Sequence, residues 1–263
     1  MSRALALLIA LLPAAAAAQG HALRGDDDLT SDYVITGSAL AFTGTTELLK
    51  SELAPVTCRW CNPGPLDTAA RNALLSGSPL RAQRASDVLA ISMVPASAAY
   101  ALLAGHGQGG SWEEGGKNVL YVAEATAVAT SVTQLVKYAV GRQRPFAHAD
   151  PSRPHDPDDN LSFFSGHSSL AFSLVAATGT VAQLRGYEGA PWVWGVGLTA
   201  AAGVGYLRIA GDKHYLTDVL VGAAVGTAAG IAVPRLLHPR ASSGGTASGA
   251  TVTVLPVGIA FSF

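Results

Sequence analysis

Arg208-Ile-Ala-Gly-Asp-Lys-His214-Tyr-Leu-Thr-Asp218 interrupts two apolar stretches, about 191–208 and 215–233, with a dense set of charged and titratable side chains. Each flanking stretch is long enough for a membrane helix or a buried core helix. The break is therefore read as a connector, with Arg208 closing one helix and His214 and Asp218 opening the next. Spacing of i, i+4 brings His214 and Asp218 to one helix face, where a carboxylate can fix the imidazole tautomer and leave the other ring nitrogen free. Taken alone, a surface ion pair would look the same.

Two more polar stretches lie upstream and also abut apolar runs. Ser165-Gly166-His167 opens the run that ends near Leu184. Ser165 is a plausible N-cap, and backbone N–H groups at a helix start attract anions, with glycine allowing close approach. Capping does not require His167. Lys137 and Arg144 are seven residues apart, near two helical turns, and Gly141 and Pro145 predict fraying between them. Snorkelling at a helix end would equally place such a pair. Together the three stretches offer Lys137, Arg144 and Arg208 for phosphate oxygens, and two histidines for nucleophilic and acid–base work.

The remaining apolar stretches, about 86–104, 118–140 and 167–184, are separated by polar connectors at 105–117, 141–165 and 185–190. Tyr33–Leu49 has helical character, but its threonines and Glu47 make it a poor lipid-facing span. The expected fold is all-α, a bundle of about six helices with the phosphate site at one end. Asp67–Leu75 is expected as a short surface helix capped by Asp67. Thr251–Phe263 alternates like a single strand after a Ser/Gly-rich linker, which gives a short strand-like tail.

Composition narrows the class. Charged residues make up 13% of the 263 residues, below the roughly 25% of an average globular domain. Net charge is −1, so no basic field points to nucleic acid. Met1–Ala18 reads as a signal peptide with a positive start, an apolar centre and small residues before Gln19. The domain reading is signal 1–18, exported N-terminal region 19–85, helical core 86–240, and linker and tail 241–263. Cys58 and Cys61 are the only cysteines. No histidine follows them and no second pair completes a zinc set, so a local disulfide in an oxidising envelope is expected.

In order and spacing, Lys-x6-Arg-Pro, Ser-Gly-His and Arg-x5-His-x3-Asp resemble the type 2 phosphatidic acid phosphatase and vanadium haloperoxidase superfamily. Its members include membrane lipid phosphatases, soluble bacterial acid phosphatases and haloperoxidases. The resemblance runs by motif from Lys137 to Asp218. It implies that His214 attacks phosphorus and forms a phosphohistidine, with Asp218 orienting it. It also implies that His167 protonates the leaving alkoxide, and that Lys137, Arg144, Ser165, Gly166 and Arg208 hold the phosphate oxygens. No metal or cofactor is implied. Two departures stand out: Phe164 where the family has proline, and Leu207 where it has serine.

His148, Asp150, His155, Asp156, Asp158 and Asp159 crowd the 146–163 loop, but their spacing fits no common ligand pattern, and Pro151, Pro154 and Pro157 suggest a semi-rigid cover. His21, His106 and His238 are isolated and expected at the surface. The resemblance implies a lipid phosphate substrate and a membrane enzyme of a bacterial-type envelope with its site facing the periplasm, provided Tyr33–Leu49 does not span. Arg235 and Arg240 after the last helix fit that orientation. A soluble periplasmic non-specific acid phosphatase is the first alternative, to which Glu124 and Gln134 within the apolar runs lend support, and a vanadate-dependent haloperoxidase is the second. Oligomeric state is left open.

Overall fold

Glycine and proline set the helix ends. The computed structural model describes residues 28–108, 110–238, 251–255 and 258–262, so the expected signal peptide, most of the linker and His21 lie outside the described residues. Helices run α1 Thr30–Leu48, α2 Lys50–Leu53, α3 Pro65–Leu74, α4 Pro79–Gly107, α5 Trp112–Val140, α6 Pro145–Ala149, α7 Gly166–Arg185, α8 Ala190–Ala210 and α9 Leu216–Leu237. Prolines open α3, α4 and α6, where a missing N–H costs nothing. Left-handed Gly141 and Gly186 close α5 and α7. The fold is all-α with six long helices, as expected. The tail differs: Thr251–Leu255 pairs antiparallel with Gly258–Ser262, giving two strands rather than one.

The central helix is α7, buried along most of its length. Its closest partner is α9, and the contact is made by backbone. A Cβ added to Gly222, Gly226 or Gly230 would stand 2.6, 2.3 or 2.7 Å from the carbonyl oxygens of Ser165, Ser169 and Ser173. Both sets recur every four residues, so the bare face of α9 lies along one ridge of α7. This contact locks the start of α7, with Ser165 to His167, beside the start of α9, with His214 to Asp218.

Among the described residues, four helices (α4, α5, α8 and α9) are long and apolar enough to cross a membrane. Large apolar side chains such as Val88, Ile91, Leu103, Val196 and Leu220 face outward from them. The polar residues within these runs point inward instead. Glu124 is fully buried and Gln134 is 6% exposed, donating to Glu47.

Helix α1 stands parallel to α5 for the height of the bundle. Ser131 Oγ donates to the Ala39 carbonyl, and Tyr138 Oη donates to that of Thr46. The N-terminal region 19–85 thus contains a helix that begins at the end remote from Lys137 and finishes near it. Asp67 also departs from expectation. Gly64 is the N-cap of α3, and Asp67 is buried beneath the helix at 2% exposure.

Gly226→Leu should push α9 from α7, an overpacking cost of at least about 3 kcal/mol. A much reduced yield of folded protein, read by size-exclusion in detergent, is expected. Unchanged thermal stability would mean that the close contact is not needed.

Candidate active site

Every residue drawn from the three motifs lies at one end of the bundle. Helix α5 ends there with Lys137, α7 and α9 begin there, and α8 ends there with Arg208. Ser165 caps α7, its hydroxyl accepting from Ser168 N at 3.3 Å. A Cβ on Gly166 would stand 3.5 Å from Lys137 Nζ, so the ammonium lies against the first turn of α7. An anion there would meet a helix N-terminus and a cation together.

His214 is 1% exposed and sits just before α9. Its Nδ1 lies 2.8 Å from the carbonyl oxygen of Ser162, an acceptor only, so Nδ1 carries the proton. Nε2 keeps its lone pair, with Arg144 Nη1 at 3.3 Å as a donor to it. Burial, then the charges of Arg144, Arg208 and Lys137, hold the imidazole well below its usual range. It is therefore neutral, the form that can attack.

Asp218 differs from the sequence expectation of direct contact. Its Oδ2 is 3.7 Å from His214 Nδ1, beyond hydrogen-bond reach. The carboxylate instead accepts from Ser162 Oγ at 2.6 Å and Tyr215 N at 2.9 Å. It holds Ser162, which accepts from His214, and Tyr215, the next residue in the chain.

Arg142, within the first motif yet outside the family pattern, is the hub beneath the site. It is 1% exposed, bonded to Asp218 and Asp67, and flanked by the rings of Trp60 and Tyr215 at 3.8 and 4.4 Å. Asp67 also accepts from the backbone N and hydroxyl of Thr217. Removing one partner of such a buried pair costs about 3–5 kcal/mol, because a charge is left alone. Cys58 and Cys61 are disulfide-bonded, and the turn they close presents Trp60 to Arg142. No spacing rule links residues 60, 67 and 142, so sequence reading could not find this set.

Two further carboxylates reach the cations from the rim. Asp158 Oδ2 pairs with Arg144 Nη2 at 2.9 Å, and the Asp158 carbonyl accepts from Arg144 Nε. Burial pushes the Asp158 carboxyl up, but Arg144, Lys137 and Lys50 outweigh it and hold it well below the usual carboxylate range. Asp87, on α4, pairs with Arg208 Nη1 at 2.8 Å and His167 Nε2 at 2.9 Å. Asp158 belongs to the acidic loop noted above and Asp87 to the start of an apolar run; neither stood out as a site residue. Beside Asp158 a cleft of 430 Å³ opens, lined also by Leu80, Gln83, Phe146, Arg153 and Lys213. The rest of the acidic loop is tied internally, Asp159 to Arg153 and Asp156 as the cap of the 3-10 turn Pro157–Asn160.

Residues 118–242 match the family model of the PAP2 superfamily. Over 126 residues the chain is 33% identical to the lipid A 1-phosphatase of Porphyromonas gingivalis, covering 48% of this chain and 25% of that protein. It is 32% identical over 126 residues to phospholipid phosphatase 2 of Homo sapiens, covering 36% of this chain and 42% of that protein. The chain thus spans less than half the length of these relatives. Among solved structures, a transmembrane PAP2 type phosphatidylglycerolphosphate phosphatase from Bacillus subtilis aligns over 89% of this chain and 94% of its own. That alignment has a TM-score of 0.37 and 18% identity.

Asp158 occupies the guanidinium that an incoming anion would need. Asp158→Asn should therefore tighten inhibition by vanadate, by about threefold or more, in a competition assay. Weaker inhibition would show instead that Asp158 aims Arg144 at the anion.

Proposed function

We propose, from the match of residues 118–242 to the PAP2 superfamily model, that the chain is a phosphatase of that superfamily cleaving a phosphate monoester or diphosphate of a lipid. The observation that carries the reading is His214: buried, neutral, its proton fixed on Nδ1 by Ser162 and its Nε2 lone pair facing Arg144.

In the proposed reaction His214 Nε2 attacks phosphorus in line, forming an N–P bond as the ester P–O bond breaks. His167 gives a proton to the departing alkoxide oxygen, and Asp87 holds the imidazole at the rim from which it acts. Water then attacks the phosphohistidine, loses its proton to His167, and phosphate leaves with His214 neutral again. Lys137, Arg144 and Arg208, with the Ser165 hydroxyl and Gly166 N–H, stabilise charge on the equatorial oxygens. These groups supply the positive charge that other phosphatases obtain from metal ions.

A lipid substrate is supported by the four apolar helices and the apolar side chains that face outward along them. The names of the relatives point the same way. Glu124 and Gln134 no longer favour a soluble enzyme, because both lie inside the bundle. A site on the exported side is supported by the disulfide at that end, since such bonds persist in oxidising compartments. Helix α1 then enters the bundle from the opposite side.

Phosphate release would be measured with detergent-extracted protein in EDTA, from phosphatidate, a polyprenyl diphosphate and p-nitrophenyl phosphate. Release from a lipid substrate is expected, with at least about a thousandfold loss in His214→Ala. Release from p-nitrophenyl phosphate alone would favour the soluble-ester reading. No release from any of the three, together with vanadate-dependent halide oxidation, would transfer the site to haloperoxidase chemistry.

The pH profile offers a second check. His214 attacks when neutral and is held below its usual 6.5, so the acidic limb of kcat/KM attributable to it should lie well below pH 6.5. In Arg144→Gln a positive neighbour is gone, the imidazole rises toward 6.5, and the limb should move to higher pH. A limb that stays in place would mean that another group sets it.

A further inference from the structure

At the end of the bundle remote from the phosphate site, three metal-ligating side chains that the reaction does not use come together. Asp32 is in the first turn of α1, Glu124 lies midway along α5, and His238 follows the last residue of α9. Glu124 is 13 residues before Lys137 on the same helix, about 20 Å at 1.5 Å per residue. His238, expected at the surface, has a side chain only 8% exposed, and Glu124 and Asp32 are buried as well.

The geometry suits a shared ligand. One ligand atom from each residue lies within 4.8 Å of the other two. His238 Nε2 is 2.7 Å from Glu124 Oε2 and 3.6 Å from Asp32 Oδ1. Two ligands each about 2.1 Å from one ion stand about 3.0–3.4 Å apart, so the observed separations bracket that value. The Tyr121 ring stacks on the imidazole at 3.6 Å and fixes its plane. Glu124 Oε1 is buried with no hydrogen-bond partner among the described residues. A protonated His238 bridging the carboxylates would leave that oxygen unserved, and an unserved carboxylate oxygen at this depth is costly.

We propose that Asp32, Glu124 and His238 bind a divalent transition-metal ion, which clasps α1, α5 and α9 together. One imidazole nitrogen with two carboxylate oxygens is a donor set for Zn2+ or Mn2+. The site is separate from the phosphatase reading and does not rest on it. Its role is structural: it ties the start of the first bundle helix to the end of the last.

The test uses the full chain without a histidine tag, stripped with EDTA in detergent and equilibrated with Zn2+ and, separately, Mn2+. Bound metal is counted by mass spectrometry and unfolding is followed thermally. About one equivalent of one of these ions per chain is expected, with a higher Tm, in the wild type and equally in His214→Ala. Affinity should fall at least about tenfold in Glu124→Gln and in His238→Gln. His238 lies past the helix end, so its variant decides the matter if Glu124→Gln does not fold. Failure of the wild type to bind either ion overturns the proposal. So does full affinity in His238→Gln, or loss of the ion in His214→Ala.

Discussion

Arg142 is the charge on which the site end depends. Its guanidinium is out of water, between two aromatic rings and two carboxylates. Such a group is tolerable only if every neighbour stays in place. Asp67 fixes α3 and the Thr217 backbone, and Asp218 fixes Ser162 and Tyr215. Ser162 in turn fixes the proton of His214. The tautomer of one imidazole is thus set through a chain of bonds that begins two residues before Arg144.

Much of this architecture was legible in the sequence. Five apolar stretches gave five long helices, and Gly141, Pro145 and Gly186 marked breaks, because backbone conformations that favour glycine or exclude proline are local properties. Ser165 was readable as a cap for the same reason. The motif residues could be read as one site because successive antiparallel helices bring their alternate ends together.

What escaped reading was non-local. Asp67 looked like a cap, since an acidic residue near a proline-led helix start carries that signal whether it points to solvent or to a buried arginine. Asp87 sits at the edge of an apolar run, and only the packing of α4 on α8 brings it to Arg208 and His167. The direct His214–Asp218 bond expected from i, i+4 spacing fails because His214 precedes the helix, so that periodicity does not govern it. His238 looked isolated because its partners are more than a hundred residues away in sequence.

The glycine face of α9 on the serine ridge of α7 has a wider consequence. There the two halves of the site meet through main chain, with no side-chain layer between them that could be resized. Ordinary drift in core volume therefore has little leverage on the spacing between the His214 and His167 imidazoles. The cover around the 430 Å³ cleft is built differently, from side chains such as Leu80, Phe146 and Lys213 that take no part in that main-chain contact. In such a molecule the spacing of the two imidazoles is the inherited part and the lining of the cleft is the negotiable one.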